Sequence, residues 1–226
     1  MNHHPKPDVL KQFANGEIVT PLASMVSAHV GVCEHCHALY QEFLAEQERD
    51  FKIGESIISS SELKESFDSL MTQVAHSDLS QTHNSESDKV EISVSGENFI
   101  LPDTFNFLKD LNIPWKEFGK RNAIAPVVTS VLGNFYLIYI GPGEQVPEHA
   151  HSNNEYSFVV SGSYKDGKTT FVDGDFAVFE KDHTHTPTAV SADGCLVVSW
   201  VEGRLNFFKG ILSPLNSFLW WYLHRA

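Results

Sequence analysis

Residues 143–162 read GEQVPEHAHSNNEYSFVVSG, and this stretch decides the fold of the second half of the chain. It places His149, His151 and Glu155 at successive offsets of two and four residues. Side chains at even offsets on an extended chain point to the same face, so the three groups are expected to face one interior.

A second histidine-bearing stretch, GDFAVFEKDHTHTP at 174–187, adds His183 and His185 to this set. One histidine from it would bring the donors to three imidazoles and one carboxylate. Such a set inside a small barrel would bind a divalent transition metal, and zinc, manganese, iron or nickel all suit these ligands.

From about residue 90 onward, the sequence around these histidines has the residue pattern of a β protein. Short segments rich in β-branched and aromatic residues alternate with Gly, Asp and Pro. They are NFYLIYI (134–140), EYSFVVSGSY (155–164), KTTFVDGDFAVFE (168–180) and CLVVSWVEG (195–203). Strands of this length and spacing predict a closed barrel or jelly roll.

The first third of the chain is predicted to be helical. Leu10, Phe13 and Ala14 have helical spacing, and Pro21 following Thr20 suits the first turn of a second helix capped by that threonine. A third helix is expected from about Cys33 to Asp50, and a fourth in SSSELKESFDSLMTQVAH at 59–76.

A polar stretch, HSDLSQTHNSESDK, separates the two halves and reads as a linker. The predicted fold class is therefore α+β with two domains. Residues 1–76 form a small four-helix domain, residues 77–90 the linker, and residues 91–226 an all-β domain.

A second potential metal site lies in the helical part, in SAHVGVCEHCHALY at 27–40. His29, Cys33 and Cys36 are offset by four and three residues, which places them on one face of a helix. All three are zinc ligands, and a tetrahedral ion needs a fourth. One continuous helix cannot surround an ion, so the fourth ligand is expected from elsewhere.

The residues alone leave alternatives open at this second site. The N-terminal His3 and His4 and the local His37 can each supply the fourth ligand. Two buried cysteines among surface histidines, or a disulfide between Cys33 and Cys36, would also explain the pattern. A lone Cys-x-x-Cys is weak evidence by itself.

Composition narrows the function classes. The 226 residues carry a formal net charge of −13, which disfavours direct binding of nucleic acid through a broad basic surface. The chain shows neither a signal peptide nor a run of about 18 apolar residues, so no membrane association is expected. Three cysteines fit a reducing cytoplasm better than a disulfide scaffold.

The beginning of the chain resembles the zinc-containing anti-sigma domain of the ChrR type, in HHP…D…LKQFANGE…ASMVSAHVGVCEHC. That resemblance covers residues 2–76 and implies a zinc ion held by His4, His29, Cys33 and Cys36. His3 is then the neighbour of a ligand. This chain has His37 where the family usually has a basic residue after the second cysteine.

The second half resembles the cupins, with every spacing of their first motif fitting between Gly143 and Gly162. The resemblance implies His149, His151, Glu155 and, eleven residues after Gly174, His185 as metal ligands, with zinc favoured. The Pro-x-Gly that precedes this histidine in cupins is EKDHTH here, so the turn into the ligand is built differently.

Together the two resemblances imply an anti-sigma factor. The helical domain would inhibit an extracytoplasmic-function sigma factor, and the cupin would sense singlet oxygen or an organic peroxide and release it. Residues 1–76 hold five Lys or Arg against eleven Asp or Glu, an acidic balance suited to a basic, DNA-binding partner. The alternative is a metal-dependent cupin dioxygenase or isomerase with an accessory zinc domain.

Overall fold

The computed structural model describes residues 1–55, 89–203 and 205–206, and within them a helical part precedes a β-rich part. The fourth helix predicted at 59–76, most of the predicted linker and the aromatic C-terminal end lie outside the described residues. The boundaries predicted for the two domains therefore stay a prediction.

Three α-helices form the helical part: α1 (Pro7–Ala14), α2 (Thr20–Val32) and α3 (Glu34–Glu55). Each of α1 and α2 has a proline in its first turn, where a missing N–H is harmless. Val19, and not the predicted Thr20, is the N-cap of α2, and α3 begins one residue later and ends five residues later than predicted. No helix in the described ranges is long and apolar enough to cross a bilayer.

The helical conformation is interrupted between α2 and α3 at Cys33, whose φ of −113° and ψ of 104° are extended. The junction lies where the sequence predicts the third helix to begin, so His29, Cys33 and Cys36 do not share the face of one continuous helix. His29 lies on α2, Cys33 at the break and Cys36 in the first turn of α3. The break turns α3 away from the axis of α2, which lets side chains from both helices converge.

The β-rich part contains thirteen strands and one 3₁₀-helix (Asp103–Leu108) within the described residues. The strands are β1 (Val90–Val94), β2 (Glu97–Leu101), β3 (Lys116–Phe118), β4 (Asn122–Thr129), β5 (Asn134–Ile140), β6 (His149–His151), β7 (Glu155–Asp166), β8 (Thr169–Val172), β9 (Phe176–Phe179), β10 (Thr184–His185), β11 (Thr188–Ala189), β12 (Cys195–Val201) and β13 (Leu205–Asn206).

The larger sheet has the order β11-β7-β12-β5-β4-β3, with β8 and β9 both paired to β7. A smaller antiparallel sheet, β10-β6-β13, and the hairpin β1-β2 complete the arrangement. Gly162 interrupts the long strand β7 with a φ of +86°, and a Cβ there would lie 2.1 Å from the carbonyl oxygen of Gly194. This position requires glycine, because both the backbone angle and the close approach exclude a side chain.

One hydrophobic cluster runs through both parts of the molecule. It contains Leu10 and Met25 from the helices together with Phe105, Phe135 and Leu196 from the β part. Helix α2 lies between α1 and α3 on one side and the β part on the other, which explains why apolar residues occur around most of its circumference. The helical part therefore packs directly on the β part.

Candidate metal centres

Three strands bring the first group of potential ligands together inside the β part. His149 and His151 are the ends of β6, Glu155 is the first residue of β7, and His185 lies opposite His149 across the β6–β10 pair. All four side chains are buried. They are called the cupin cluster below: His149, His151, Glu155 and His185.

Four atoms of the cupin cluster converge on one point. His185 Nε2 lies 2.9 Å from His149 Nε2 and 3.0 Å from His151 Nε2, and Glu155 Oε2 lies 2.6 Å from His151 Nε2. Atoms bound to one ion at 2.0–2.2 Å lie roughly 2.8–3.6 Å apart, depending on whether the geometry is octahedral or tetrahedral. The two nitrogen–nitrogen distances fall in this range and the 2.6 Å contact is slightly shorter, so the four atoms are close enough to share one first-row metal ion.

The electrostatics of the cupin cluster favour neutral rings at His149 and His185 beside an ionised Glu155 carboxylate. Burial lowers the pKa of His149 to about 4, and burial also lowers the pKa of His185. Burial alone would raise the pKa of Glu155, but His151, His185 and His149 outweigh it and bring this pKa below its usual range. The Nε2 atoms of His149 and His185 and the Glu155 carboxylate face one another, and a cation would relieve the repulsion between their lone pairs.

Hydrogen bonds at the back of the cupin cluster fix the orientation of its side chains. Ser157 Oγ donates to Glu155 Oε1 at 2.8 Å, and Ser199 Oγ lies 2.6 Å from Ser157 Oγ. His149 Nδ1 donates to the carbonyl oxygen of Pro147 at 2.8 Å, which directs its Nε2 toward the other atoms of the cluster. Buried Glu155 Oε2 points at the histidines, 2.6 Å from His151 Nε2 and 3.5 Å from His185 Nε2, as expected of an atom that would share a metal with them.

His183 lies at the rim and not in the cupin cluster. Its Nε2 is 3.3 Å from Asp166 Oδ2, and the same oxygen is 3.5 Å from His185 Nδ1. Asp166 therefore faces the outer nitrogen of His185. His183 is exposed beside this carboxylate, so His185 is the histidine of this stretch that joins the cluster.

The second group of potential ligands lies where the N-terminal arm meets the break between α2 and α3. His4 Nδ1 is 3.3 Å from His29 Nε2, 3.4 Å from Cys33 Sγ and 3.5 Å from Cys36 Sγ. A tetrahedral zinc ion would separate two nitrogens by about 3.3 Å and a nitrogen and a sulfur by about 3.6 Å. These residues are called the helical cluster below: His4, His29, Cys33 and Cys36.

The chemistry of the helical cluster also fits zinc. Burial lowers the pKa values of His4 and His29, which keeps both rings neutral. Burial and the neighbouring Cys33 raise the pKa of the Cys36 thiol to about 12. A thiolate at this position therefore needs a cation beside it, and zinc supplies one.

The structure separates the alternatives that the sequence left open for the helical cluster. His3 turns away, and its ring lies 4.4 Å from that of Phe171. His37 is exposed on α3, and Cys33 and Cys36 are free thiols. The role of the eight converging residues as metal ligands stays a prediction, because proximity does not identify a bound ion.

Sequence reasoning missed the residues that support the two clusters. Ser157 is two residues beyond Glu155 on the same face of β7, but a serine in a strand has no diagnostic pattern. Ser199 comes from β12 and Asp166 from the far end of β7, and no local spacing predicts that either lies near the cluster. Cys195, the first residue of β12, is buried in the core, and burial raises the pKa of its thiol.

A cavity of about 40 Å³ lies beside the cupin cluster. Its lining includes His149, Glu155 and His185, the hydroxyls of Ser157 and Ser199, and apolar side chains such as Val197. Pockets for organic ligands measure about 300–1,000 Å³. The space beside the cupin cluster therefore fits a small solvent molecule and not an organic substrate.

The protein thus combines a zinc-type helical part with a metal-type cupin, as the sequence predicts for the ChrR type. Comparisons with known proteins point to the same combination. Residues 107–202 match the family described as the ChrR Cupin-like domain. The chain is also 23% identical to the anti-sigma-E factor ChrR of Cereibacter sphaeroides over 222 residues, which span 97% of this chain and 94% of that protein.

A solved structure shows the same arrangement. The crystal structure of Rhodobacter sphaeroides SigE in complex with the anti-sigma ChrR contains a chain that matches with a TM-score of 0.63 at 20% identity, covering 89% of this chain and 99% of that one. The predicted fold class, a helical part followed by a cupin, and the predicted resemblance to the ChrR type are therefore confirmed.

Proposed function

We propose that this protein is an anti-sigma factor whose helical part binds an extracytoplasmic-function sigma factor. The observation that carries the proposal is similarity to the anti-sigma-E factor ChrR over 97% of the chain, with both metal-type clusters complete. The crystal structure of ChrR with SigE supports a sigma factor as the partner. The acidic balance of the helical part suits a partner with a basic DNA-binding surface.

Zinc is the proposed ion of the helical cluster, held by His4 Nδ1, His29 Nε2 and the thiolates of Cys33 and Cys36. With all four positions taken by protein atoms, such a site is structural, and its binding energy contributes to folding. The ligands come from the N-terminal arm, α2 and α3. Zinc would fasten these three segments together and so hold the surface that the sigma factor recognises.

In the cupin cluster, the proposed ligand atoms are Glu155 Oε2 and the Nε2 atoms of His149, His151 and His185. Zinc is favoured, while manganese, iron or nickel also suit a set of imidazole and carboxylate donors. The ion would neutralise the buried Glu155 carboxylate and tie β6, β7 and β10 together.

The competing enzyme function has less support. A cupin dioxygenase or isomerase needs room for an organic substrate next to the ion, and the cavity beside the cupin cluster measures about 40 Å³. A cytoplasmic regulator is therefore the function we propose.

The signal is proposed to be singlet oxygen or an organic peroxide, and two schemes place its target differently. In the first, the oxidant disturbs the cupin cluster. In the second, it oxidises Cys33 and Cys36 directly and releases their metal. Glu155→Gln should abolish the response and leave inhibition intact under the first scheme, whereas it should leave both unchanged under the second.

Co-purification tests the proposed function directly. The full chain is co-expressed with a tagged extracytoplasmic-function sigma factor from the same genome, and the recovered complex is quantified. We expect the wild type and His37→Ala to co-purify with the sigma factor and Cys36→Ala to fail to do so, because Cys36 belongs to the helical cluster and His37 does not. Failure of the wild type to bind any such sigma factor would refute the function, and full binding by a metal-free Cys36→Ala protein would refute the structural role of zinc.

A further inference from the structure

The N-terminal arm that carries His4 is held by the cupin. The backbone N–H of Phe176, the first residue of β9, donates to the carbonyl oxygen of His3 at 3.1 Å. The N–H groups of Asn2 and His3 donate to one carboxylate oxygen of Asp175 at 2.9 and 3.4 Å. The arm thus runs beside the turn between β8 and β9, immediately before the residue that enters the helical cluster.

Asp175 is fully buried, which makes its three backbone hydrogen bonds important. Its second carboxylate oxygen accepts from the N–H of Val172 at 3.0 Å, so the same side chain closes its own turn and binds the arm. A buried carboxylate is costly unless it is hydrogen-bonded, and charge-assisted bonds of this kind are stronger than neutral ones. The arm therefore satisfies a cupin carboxylate that would otherwise be underpaired.

A second contact reaches the helical cluster through His29. Its Nδ1 donates to the carbonyl oxygen of Gly174 at 2.7 Å, which directs Nε2 toward His4. Gly174 has a φ of +81°, and a Cβ there would lie 3.0 Å from Met1 Sδ and 3.4 Å from Val32 Cγ2. The carbonyl group can approach the helical part this closely because the residue lacks a side chain.

We propose that the β8–β9 turn of the cupin, through the Asp175 carboxylate and the Gly174 carbonyl, positions two of the four ligands of the helical cluster. The inference rests on the proposed metal in that cluster and assigns part of its affinity to the other half of the molecule. His4 is placed through the arm that Asp175 binds, and His29 is oriented by Gly174. Asp175 is a positioning residue, because it touches neither the ion nor its donor atoms.

The same turn is joined to the cupin cluster by a single short strand. Strand β9 runs from Phe176 to Phe179, and Phe179 pairs with Glu155 across β7. The Phe179 ring also lies 4.6 Å from the ring of His185. A change in the cupin cluster that shifts β9 would therefore be transmitted to the Asp175 turn and from there to His4 and His29.

Cobalt titration of the full chain tests this inference, because the cupin cluster contains no sulfur and thiolate-to-cobalt absorption reports the helical cluster alone. We expect Asp175→Asn to weaken cobalt binding there by about tenfold or more, the usual range for loss of a group that orients a metal ligand. Asp173→Asn, an exposed neighbour, should match the wild type. Cobalt bound by the sulfur-free cluster should remain unchanged in both variants.

A second pair of variants leaves the cupin untouched. Asn2→Pro removes the backbone N–H that donates to Asp175, and Asn2→Ala keeps it, so only the proline variant should lose affinity. Wild-type affinity in both Asp175→Asn and Asn2→Pro would overturn the inference. Absence of thiolate absorption in the wild type would instead overturn the metal site of the helical cluster, and the inference with it.

Discussion

Ser157→Ala is expected to weaken metal binding at the cupin cluster selectively. The substitution removes the donor that lies 2.8 Å from Glu155 Oε1 and leaves that oxygen buried beside a methyl group. An unsatisfied buried acceptor costs about 1–3 kcal/mol, which corresponds to roughly 5- to 150-fold in an equilibrium constant. Bound metal needs Glu155 in one orientation, so most of this cost should fall on metal affinity.

The prediction is controlled by comparing the two serine hydroxyls, because Ser157 contacts Glu155 directly and Ser199 contacts only Ser157. Ser157 has one hydroxyl hydrogen and gives it to Glu155, so Ser199 must be the donor in the 2.6 Å contact between the two hydroxyls. Ser199→Ala should therefore have a smaller effect than Ser157→Ala. Ser161→Ala, on the same strand and away from the cluster, should have none.

The assay is a two-site competition titration of the full chain with zinc and a chelator of known affinity. Thiolate-to-zinc charge-transfer absorption in the far ultraviolet follows the helical cluster, so the remaining zinc is assigned to the cupin cluster. Equal cupin affinities for Ser157→Ala and Ser161→Ala would refute the view that Glu155 is held for the metal by its neighbouring hydroxyl.

The remaining predictions concern pH, coupling and folding. The Cys36 thiol, whose pKa is raised to about 12, must release a proton when metal binds. The metal affinity of the helical cluster should therefore fall by at least about tenfold for each pH unit between pH 9 and pH 7. Cobalt titration at each pH measures this change. His151→Ala should raise amide hydrogen exchange in the N-terminal arm, measured by mass spectrometry, while His183→Ala should not. Gly162→Ala should destabilise the fold by about 3 kcal/mol or more in urea denaturation, whereas Gly167→Ala, with positive φ but open space, should cost about 1 kcal/mol.

Local periodicity predicted α1 to α3 and the strands β5, β7, β8, β9 and β12, but it missed β1 to β4 and the short strands β10, β11 and β13. The even spacing of His149, His151 and Glu155 placed all three side chains in one interior, because a strand has a strict period of two. The helical cluster was harder, since its residues are offset as on a helix but lie on either side of a break at Cys33. Adjacent His3 and His4 face opposite ways on an extended arm, and only the resemblance to a known family favoured His4.

Contacts between the two halves left no signal in the sequence. GDF at 174–176 looks like an ordinary turn between two strands, and an aspartate in a turn is commonplace. Its hydrogen bonds to Asn2 and His3 join residues more than 170 positions apart. No pattern of local spacing can reveal such a pairing, because it depends on the final position of the arm against the cupin.

The shared core changes how a signal would pass between the halves. A polar linker suggested two independent domains, in which information crosses only along the connecting chain. In the structure, α2 contacts the β part directly, and the hydrophobic cluster that includes Met25 also includes Phe105 and Leu196. Packed side chains rearrange between discrete positions, so a disturbance at the cupin cluster can reach the helical cluster through β9 and α2. A variant with a lengthened linker should therefore keep its response to oxidant, whereas one that separates Asp175 from the arm should lose it; the opposite result would mean that the signal passes along the linker.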